Sequence, residues 1–393
     1  MNIRFLATTL ICVLISFSTQ VYGQKTGFYS SIDNALQHPD EVIHLDITES
    51  ESTDFLNQLA LFINMEKLVI VDCKIDHLPA SIYQLQKLTD LRIAYCGISV
   101  LPEGIESLSN LEYLQLDNNK LTSLPEGLKK LEKLKTVNLF KNELKSVPLS
   151  LWKNSSIRTL SLSSNQITSF PSEKPKFDEL ESITISDNPI EKIPNYLTEI
   201  TSLKMITITR TNLTSLPINI GNLTELTWLE VSNNKIEKLP STICKLNKLQ
   251  VLDISSNQIT ELPDSIGTMQ SLHRGIFDHN LIREIPKNLK GWKNLKNLDL
   301  ASNQLTNIPE SILELASLQY LYLDRNQIFT LPNEVGKLQK LKILSIKKNL
   351  ISEFPESIRT GNLPLSIFLT EENFDKTLLA AMKKTNPKTK FKY

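Results

Sequence analysis

Three aspartates in the second half of the sequence are candidates for acid–base chemistry. Asp253, Asp278 and Asp299 could act as general acid and base in a hydrolase if the fold brought them together, or could bind a cation weakly. The sequence contains no glycine-rich phosphate loop, serine nucleophile elbow or pair of zinc-binding histidines. A hydrolase is therefore the less favoured alternative, and we expect no enzyme activity, no cofactor and no metal.

Aromatic and charged side chains in the same region indicate binding. Exposed Trp, Tyr and Arg are the residue types that anchor protein interfaces, and aromatic rings beside carboxylates can also stack on sugars and accept their hydroxyl groups. The candidate partner-binding residues are Trp228, Glu230, Asp253, Arg274, Asp278, Asp299, Tyr320, Tyr322, Asp324 and Arg325. A second candidate patch contains Arg92, Tyr95, Tyr113 and Phe140.

A repeat of 23 residues must position these candidates. With Met65 as position 1, the pattern runs without insertion or deletion through thirteen units to residue 363. Position 6 is apolar in every unit, position 11 is always Ile or Leu, and position 15 is always proline. A unit of this length cannot bury its apolar face alone, so the units must stack on one another.

Alternation within each unit identifies the surface that can vary. Positions 4 and 6 are apolar, which is the spacing of a strand with one buried face, so positions 3, 5 and 7 point away from the core. Proline at position 15 removes a backbone donor and discourages a long helix on the opposite side. Function must therefore lie in the variable strand positions, where the first candidate set would cluster on neighbouring strands about 4.8 Å apart.

The recurring pattern LxxLxLxxNxLxxLPxxIxxLxx resembles the leucine-rich repeat, in the 23-residue form of exported bacterial proteins, Ras-binding scaffolds and plant proteins. The resemblance covers about three quarters of the chain. It implies an α/β fold, namely a right-handed, curved leucine-rich-repeat solenoid. Its parallel sheet would line the concave face, short turns or 3-10 segments the convex face, and small helical caps the ends. The resemblance also implies recognition of a protein partner.

Asparagine recurs at position 9 in ten of the units, from Asn119 to Asn349. Each strand ends here and the chain turns inward, so backbone groups lose their ladder partners. Because an amide both donates and accepts hydrogen bonds, stacked asparagines can satisfy these groups from unit to unit. We therefore predict that they are structural. Cys73, Cys96 and Thr211 hold the same position and can make only part of this network.

Two cysteines and two irregular units carry further expectations. Cys73 and Cys96 with His77 could suggest a metal site, but these cysteines replace inward asparagines and His77 falls on the outer arc, so none is predicted. Export would allow the two cysteines to form a disulfide. Lys174 replaces an aliphatic residue and predicts a rearranged outer arc. Gly275 replaces the aliphatic residue at position 4 and leaves a gap that Phe277 or its neighbours can fill.

The ends of the chain differ from the repeats. Residues 1–23 combine a positive start with a short apolar core, which predicts a secretory signal peptide cleaved before Gln24. Residues 24–64 are predicted to form the N-terminal cap, where Ser31 begins a short helix, and the first strand unit. Thirteen repeats fill 65–363. Residues 364–393 are predicted to form a last strand, a capping helix from near Thr370 and a frayed basic tail.

The charge balance excludes some partners. Lys and Arg number 43, as do Asp and Glu, so no overall field attracts nucleic acid or an anionic membrane. No stretch beyond the signal is apolar enough to span a bilayer. The sequence thus predicts an exported scaffold, periplasmic, cell-surface or secreted, that binds a protein through its concave face. The alternative is a carbohydrate or cell-envelope ligand at the same face.

Overall fold

One parallel sheet runs through the whole molecule. The computed structural model describes residues 26–50, 52–361 and 364–393, so the predicted signal peptide lies outside the described residues. Seventeen strands pair with one another in chain order. They are β1 Phe28–Tyr29, β2 His44–Thr48, β3 Lys67–Val71, β4 Asp90–Ala94, β5 Tyr113–Gln115, β6 Thr136–Asn138, β7 Thr159–Ser161, β8 Ser182–Thr184, β9 Met205–Thr207, β10 Trp228–Glu230, β11 Val251–Asp253, β12 Arg274–Ile276, β13 Asn297–Asp299, β14 Tyr320–Tyr322, β15 Ile343–Ser345, β16 Ser366–Phe368 and β17 Lys390–Lys392.

The pairing register follows the 23-residue repeat. Leu229 of β10 pairs with Ile206 on one side and with Leu252 on the other. Leu229 is fully buried and so is Val231 two positions later, as expected for the inward positions 4 and 6. The predicted fold, a right-handed solenoid with its parallel sheet on the concave face, is confirmed.

Short helices cross the convex side. Several begin directly after the proline of position 15, which is the N-cap residue in an extended conformation and whose carbonyl accepts the first helical hydrogen bond. Ile243 N, for example, donates to Pro240 O at 3.0 Å. The α-helices are α1 Ile32–Gln37, α2 Leu149–Trp152, α3 Glu356–Arg359 and α4 Lys376–Thr385. The 3-10 helices are Pro39–Glu41, Asp54–Asn57, Leu59–Leu61, Ala80–Gln84, Ile105–Ser107, Glu126–Lys130, Asn195–Glu199, Ile220–Asn222, Ser241–Lys245, Ile266–Thr268, Trp292–Asn294, Glu310–Glu314, Val335–Lys337 and Glu371–Asn373.

The asparagine ladder is confirmed as a structural element. Asn257 Nδ2 donates to Ile254 O in its own coil and to Val231 O in the preceding coil, both at 2.9 Å. Its Oδ1 accepts from Ile236 N at 3.0 Å. Each such amide therefore joins two coils where the strand hydrogen bonds stop. At Thr211, the hydroxyl only partly replaces the amide and bonds to Asn234 Oδ1.

The residue before each asparagine adopts a left-handed backbone conformation that the sequence did not reveal. Fourteen non-glycine residues at position 8, from Glu49 to Lys348, have φ between 51° and 57°, and ten of them directly precede a ladder asparagine. Such a conformation is costly for most side chains. The amide ladder that follows holds the turn in place, which explains why position 8 tolerates residues as different as Tyr95, His279 and Arg325.

The N-terminal cap agrees in part with the prediction. Helix α1 begins after Ser31 as expected, and Ala35 is buried. The Ser31 side chain makes no capping hydrogen bond, so its predicted capping role is wrong. Strand β1 was not predicted; it pairs with β2 and extends the sheet by one strand, because Gly27 O accepts from the backbone N–H groups of Ile43 and His44.

The C-terminal segment corrects the predicted frayed tail. Helix α4 is capped by Asp375, whose Oδ1 accepts from Leu378 N at 3.0 Å. The chain then returns as β17, in which Phe391 pairs with Ile367 of β16. The reason is burial, since the Phe391 ring lies 5.8 Å from that of Phe354 and apolar contact outweighs the basic composition of this segment.

Aromatic side chains fill both irregular units. A Cβ added at Gly275 would lie 2.8 Å from Phe277 Cζ, so Phe277 fills the predicted gap. The centroid of its ring lies 6.2 Å from that of the Trp292 ring. In the other unit Lys174 is exposed, and Trp152 packs against Phe177 with ring centroids 5.2 Å apart. In both irregular units, aromatic side chains therefore fill the space that the usual aliphatic residues would occupy.

Candidate functional site

The first candidate set lies on five consecutive strands, β10 to β14. Pairing places Trp228, Arg274 and Tyr320 in the row of position 3, because Arg274 pairs with Val251 and Asn297 of the flanking strands. The row of position 5 contains Glu230, Asp253, Asp299 and Tyr322. Asp278 and Asp324 follow their strands at position 7. Arg325 at position 8 is exposed with φ 55°, so it lies at the edge of this surface.

Two carboxylates at one end of the set are desolvated. Burial raises the pKa of Glu230 above its ordinary value, and the Asp253 carboxylate raises it further. Trp228 Nε1 donates to Glu230 Oε2 at 3.4 Å. Burial likewise raises the pKa of Asp253, although the Ser255 hydroxyl donates to its Oδ1 at 2.7 Å. A cationic group of a ligand placed here would stabilise the ionised form of both carboxyl groups, which burial disfavours.

The other end of the set combines tyrosines with a third buried carboxylate. Burial raises the pKa of Asp324, whose Oδ1 accepts from Ser345 Oγ and Lys347 N, each at 2.7 Å. Burial also raises the pKa of Tyr322, with a smaller contribution from the Asp299 carboxylate. The phenol hydroxyl of Tyr322 therefore remains a protonated donor at neutral pH.

Asp278 is the most buried of the candidate carboxylates. Only 2% of its surface is exposed, and its Oδ2 lies 2.7 Å from His279 Nδ1. Asp253, Asp278 and Asp299 are thus on adjacent coils as the sequence predicted, but Asp278 lies in the row of position 7 while the other two lie in that of position 5. Each carboxylate accepts from groups of its own coil, which is typical of a turn-stabilising role.

Two polar atoms in the floor of this surface lack partners. Arg274 Nε and Asn297 Oδ1 are buried and accept or donate no hydrogen bond within the described residues. Their residues pair across β12 and β13. Unsatisfied buried polar atoms cost free energy, so a ligand that supplied a hydrogen-bond partner to either atom would gain affinity.

The centre of the concave face carries small hydroxyl groups that bond to one another. Ser186 N donates to Ser163 Oγ at 3.0 Å, and Thr209 N donates to Ser186 Oγ at 2.9 Å. All three residues are buried. This internal ladder leaves the central coils few groups for a ligand, and it separates the two candidate patches.

The second candidate patch lies on β4 to β6. Tyr95 and Tyr113 are 55% and 41% exposed, and Arg92 and Phe140 are half-buried. Arg92 Nε lacks a hydrogen-bond partner within the described part of the chain. The structure thus brings an arginine and three rings to one side of the molecule, well removed along the sheet from Trp228.

The cysteines contribute no site. Cys73, Cys96 and Cys244 are free and buried, so the disulfide that export would allow is not formed. Cys96 Sγ lies 3.1 Å from Ala94 O, as a substitute for the ladder amide, and burial raises the pKa of its thiol to about 11. Among the described residues, no group of three His, Cys, Asp or Glu side chains could hold a metal ion.

The sequence analysis missed a cluster of basic and aromatic residues beyond the thirteenth unit. Lys347 Nζ and Lys392 Nζ lie 5.6 Å and 5.0 Å from the centroid of the Phe368 ring. Phe368 occupies position 5 of β16 and Lys392 pairs with it from β17. The sequence could have revealed Phe368, because this residue continues the 23-residue register. It could not have revealed Lys392, because we predicted that the terminal residues form a frayed tail and not a strand.

Comparison with protein families agrees with this architecture. A family model for a leucine-rich repeat region matches residues 195–275, and a second leucine-rich-repeat model matches residues 86–144, 109–167 and 276–328. Together they cover more than half of the chain. The chain is a leucine-rich-repeat protein. No curated protein matches it.

Solved structures give the same result for this leucine-rich-repeat protein. A leucine-rich-repeat protein of Leptospira interrogans is 29% identical, with a TM-score of 0.86 over 94% of this chain and 100% of that one. The ectodomain of the Arabidopsis thaliana receptor kinase GASSHO1/SCHENGEN3 is 25% identical, with a TM-score of 0.69 over 90% of this chain and 44% of that one. An internalin of Listeria monocytogenes shares the fold at 20% identity and a TM-score of 0.62, over 92% of each chain.

Among the residues that the structure describes, no helix has the length and apolar character needed to cross a bilayer. Leucine-rich-repeat domains are in general protein-binding scaffolds, and the matched structures include an ectodomain of a membrane receptor kinase.

Proposed function

We propose that this protein is a non-enzymatic scaffold that recognises a protein partner through the C-terminal half of its concave face. The observation that carries the proposal is the row of aromatic and charged side chains on β10 to β14, in contrast to the hydroxyl-lined centre. Interfaces concentrate their binding energy in such aromatic anchors. The matched GASSHO1/SCHENGEN3 ectodomain was solved in complex with Casparian strip integrity factor 2, which supports recognition of a protein ligand by this class of fold.

The fixed positions of the three aromatic anchors also support a binding function that involves no catalysis. Trp228, Tyr320 and Tyr322 each project from a strand whose neighbours fix its position. A preorganised surface loses little conformational entropy on association. The candidate carboxylates would then orient the partner, and the same groups carry the alternative proposal, a carbohydrate or cell-envelope ligand stacked on the rings.

The test removes the three anchors and measures partner capture. The variant Trp228→Ala/Tyr320→Ala/Tyr322→Ala, immobilised beside wild type, should lose the envelope proteins that wild type retains, as quantified by mass spectrometry. Each anchor is half-buried, so thermal melting should change little.

A matched control removes three large exposed side chains from other surfaces. Ile218, Phe329 and Leu350 are 59%, 57% and 53% exposed and none occupies positions 3, 5 or 7, so their alanine variant should capture like wild type. Undiminished capture by the anchor variant would eliminate this face. Binding in a glycan array with no captured protein would favour the carbohydrate alternative.

We also propose that the protein is exported and reaches the periplasm, cell surface or medium. The apolar start of the sequence supports this. The exported chain would then comprise residues 24–64 as the cap and first strand unit, 65–363 as the repeats and 364–393 as the terminal segment. N-terminal sequencing of the protein from its native cells should give Gln24 as the first residue, and a retained Met1 would contradict export by cleavage.

A further inference from the structure

The last three strands give the concave face a basic end. Lys347 and Lys392 place their ammonium groups over the Phe368 ring, at 5.6 Å and 5.0 Å from its centroid. Lys390 pairs with Ser366 and lies at position 3 of the same face. Two lysines therefore lie over one half-buried aromatic ring, and a third lies two residues from Lys392 on the same strand. We call Lys347, Phe368, Lys390 and Lys392 the basic end.

The three lysines of the basic end are available to a ligand. No carboxylate lies within 4.0 Å of their ammonium groups in the part of the chain that the structure describes. Many exposed lysines elsewhere are paired; Lys248, for example, lies 2.6 Å from Glu225. A cation held over a ring keeps its charge and can still accept an anion on its open side.

The opposite charge lies next to the basic end on the same face. Strands β10 to β14 carry Glu230, Asp253 and Asp299 in the row of position 5, and burial raises the pKa of the first two. Tyr322 follows them in that row, and Phe368 and Lys392 complete it. Ile276 of β12 and Ser345 of β15 also lie in this row. The acidic groups at one end and the basic group at the other are therefore separated, along a single line, by aromatic and uncharged side chains.

We propose that the partner presents an extended segment that crosses the strands of the concave face. The acidic residues of this segment would contact the basic end, its aromatic or apolar residues would contact Tyr320 and Tyr322, and its basic residues would lie over β10 to β13. A linear row matches a linear segment, because each coil contributes one contact. From Asp299 of β13 to Lys392 of β17 the row spans about 19 Å, at ~4.8 Å per strand, which is about six residues of extended chain. The ligand's basic and acidic residues are thus about six positions apart. This inference rests on the proposed function and specifies its partner.

Two synthetic peptides of identical composition test the charge order. Both contain four lysines, four glutamates and a central Trp-Tyr-Tyr; in one the charges are segregated on either side of the aromatic residues, and in the other they alternate. The segregated peptide should bind the purified protein about tenfold more tightly by fluorescence anisotropy, and this advantage should shrink as salt rises. Equal affinities, or no binding of either peptide, would overturn the inference.

Charge reversal at the basic end gives a second measurement. Lys347→Glu/Lys392→Glu should abolish the preference for the segregated peptide and should bind a peptide with lysines on both sides more tightly than wild type does. The control Lys293→Glu/Lys340→Glu changes two exposed lysines outside the concave rows and should behave like wild type. An unchanged preference in the Lys347/Lys392 variant would also overturn the inference.

The two proposals fail in different ways. If the Trp228/Tyr320/Tyr322 variant still captures the partner, the binding face itself is wrong. If that variant loses the partner but wild type does not distinguish the two peptides, only the charge order is wrong.

Discussion

The ring of Phe277 occupies the space that an aliphatic side chain at residue 275 would need. A Cβ at Gly275 would lie 2.8 Å from Phe277 Cζ, although the two residues belong to the same strand region and both face the core. One large side chain thus replaces the usual pair at positions 4 and 6, and the adjacent Trp292 ring completes the packing.

This relationship predicts a coupled pair of substitutions. Gly275→Leu should lower the free energy of unfolding by about 1–3 kcal/mol through overpacking, and Phe277→Leu by a similar ~1–3 kcal/mol through the cavity it leaves. The double variant restores the pattern of the other units, so it should lose less than the sum of the two. Urea denaturation of the four proteins measures the coupling. Strictly additive losses would contradict the packing described here.

The amide ladder predicts an unequal cost for two asparagines of neighbouring coils. Asn257→Ala leaves Ile236 N and the carbonyl groups of Val231 and Ile254 without their side-chain partner, and should lower the free energy of unfolding by about 2–4 kcal/mol. Asn247→Ala, at an exposed position, should change it by less than about 0.5 kcal/mol. Equal effects in urea denaturation would mean that the ladder contributes little.

The buried Asp253 carboxylate predicts a pH-dependent gain on neutralisation. Its pKa is raised in the folded protein from an ordinary 3.8, so its charged form destabilises the fold at neutral pH, and that cost is relieved as pH falls towards 3.8. Asp253→Asn, which can still accept from Ser255, should raise the melting temperature at pH 7 and lose this advantage near pH 4. Asp264→Asn, at an exposed site on the same coil, should show no such trend. A gain for Asp253→Asn that does not depend on pH would contradict the assignment.

The returning C-terminal strand predicts local protection from hydrogen exchange. Leu369 N donates to Lys392 O at 3.0 Å, and Phe391 anchors β17 on Phe354. Phe391→Ala should detach β17 and speed exchange of the Leu369 amide, with a loss of about 1–3 kcal/mol in unfolding free energy. Tyr393→Ala, at a 46% exposed position, should leave that amide protected. Fast exchange of Leu369 in wild type would support the frayed tail.

Much of the fold followed from the sequence because the repeat constrains it many times over. The spacing of Leu229 and Val231, repeated in each unit, specified strands with one buried face, and the recurrence of Asn257 and its equivalents specified a structural ladder. The left-handed residue before each asparagine escaped prediction, since position 8 varies in type and the conformation is imposed by hydrogen bonds between coils. Similarly, Ser31 has the right type for a cap but forms no such bond.

The binding surface was only partly accessible to sequence reasoning. Strand alternation correctly assigned Trp228 and Tyr320 to one face, since their direction depends only on period two. Whether a group on that face is desolvated, as Glu230 is, or paired with a local donor, as Asp278 is with His279, depends on side chains of adjacent coils.

The sequence by itself determined the solenoid, its parallel sheet and the division between scaffold and variable positions, because one local rule applied to stacked units admits only that architecture. Only the tertiary structure decided how the residues beyond the last repeat fold and which side chains they contact. Phe391 lies far in sequence from the ring it packs against, and Lys392 reaches Phe368 through a returning strand. Contacts of that kind depend on burial between distant segments, which a local pattern cannot encode.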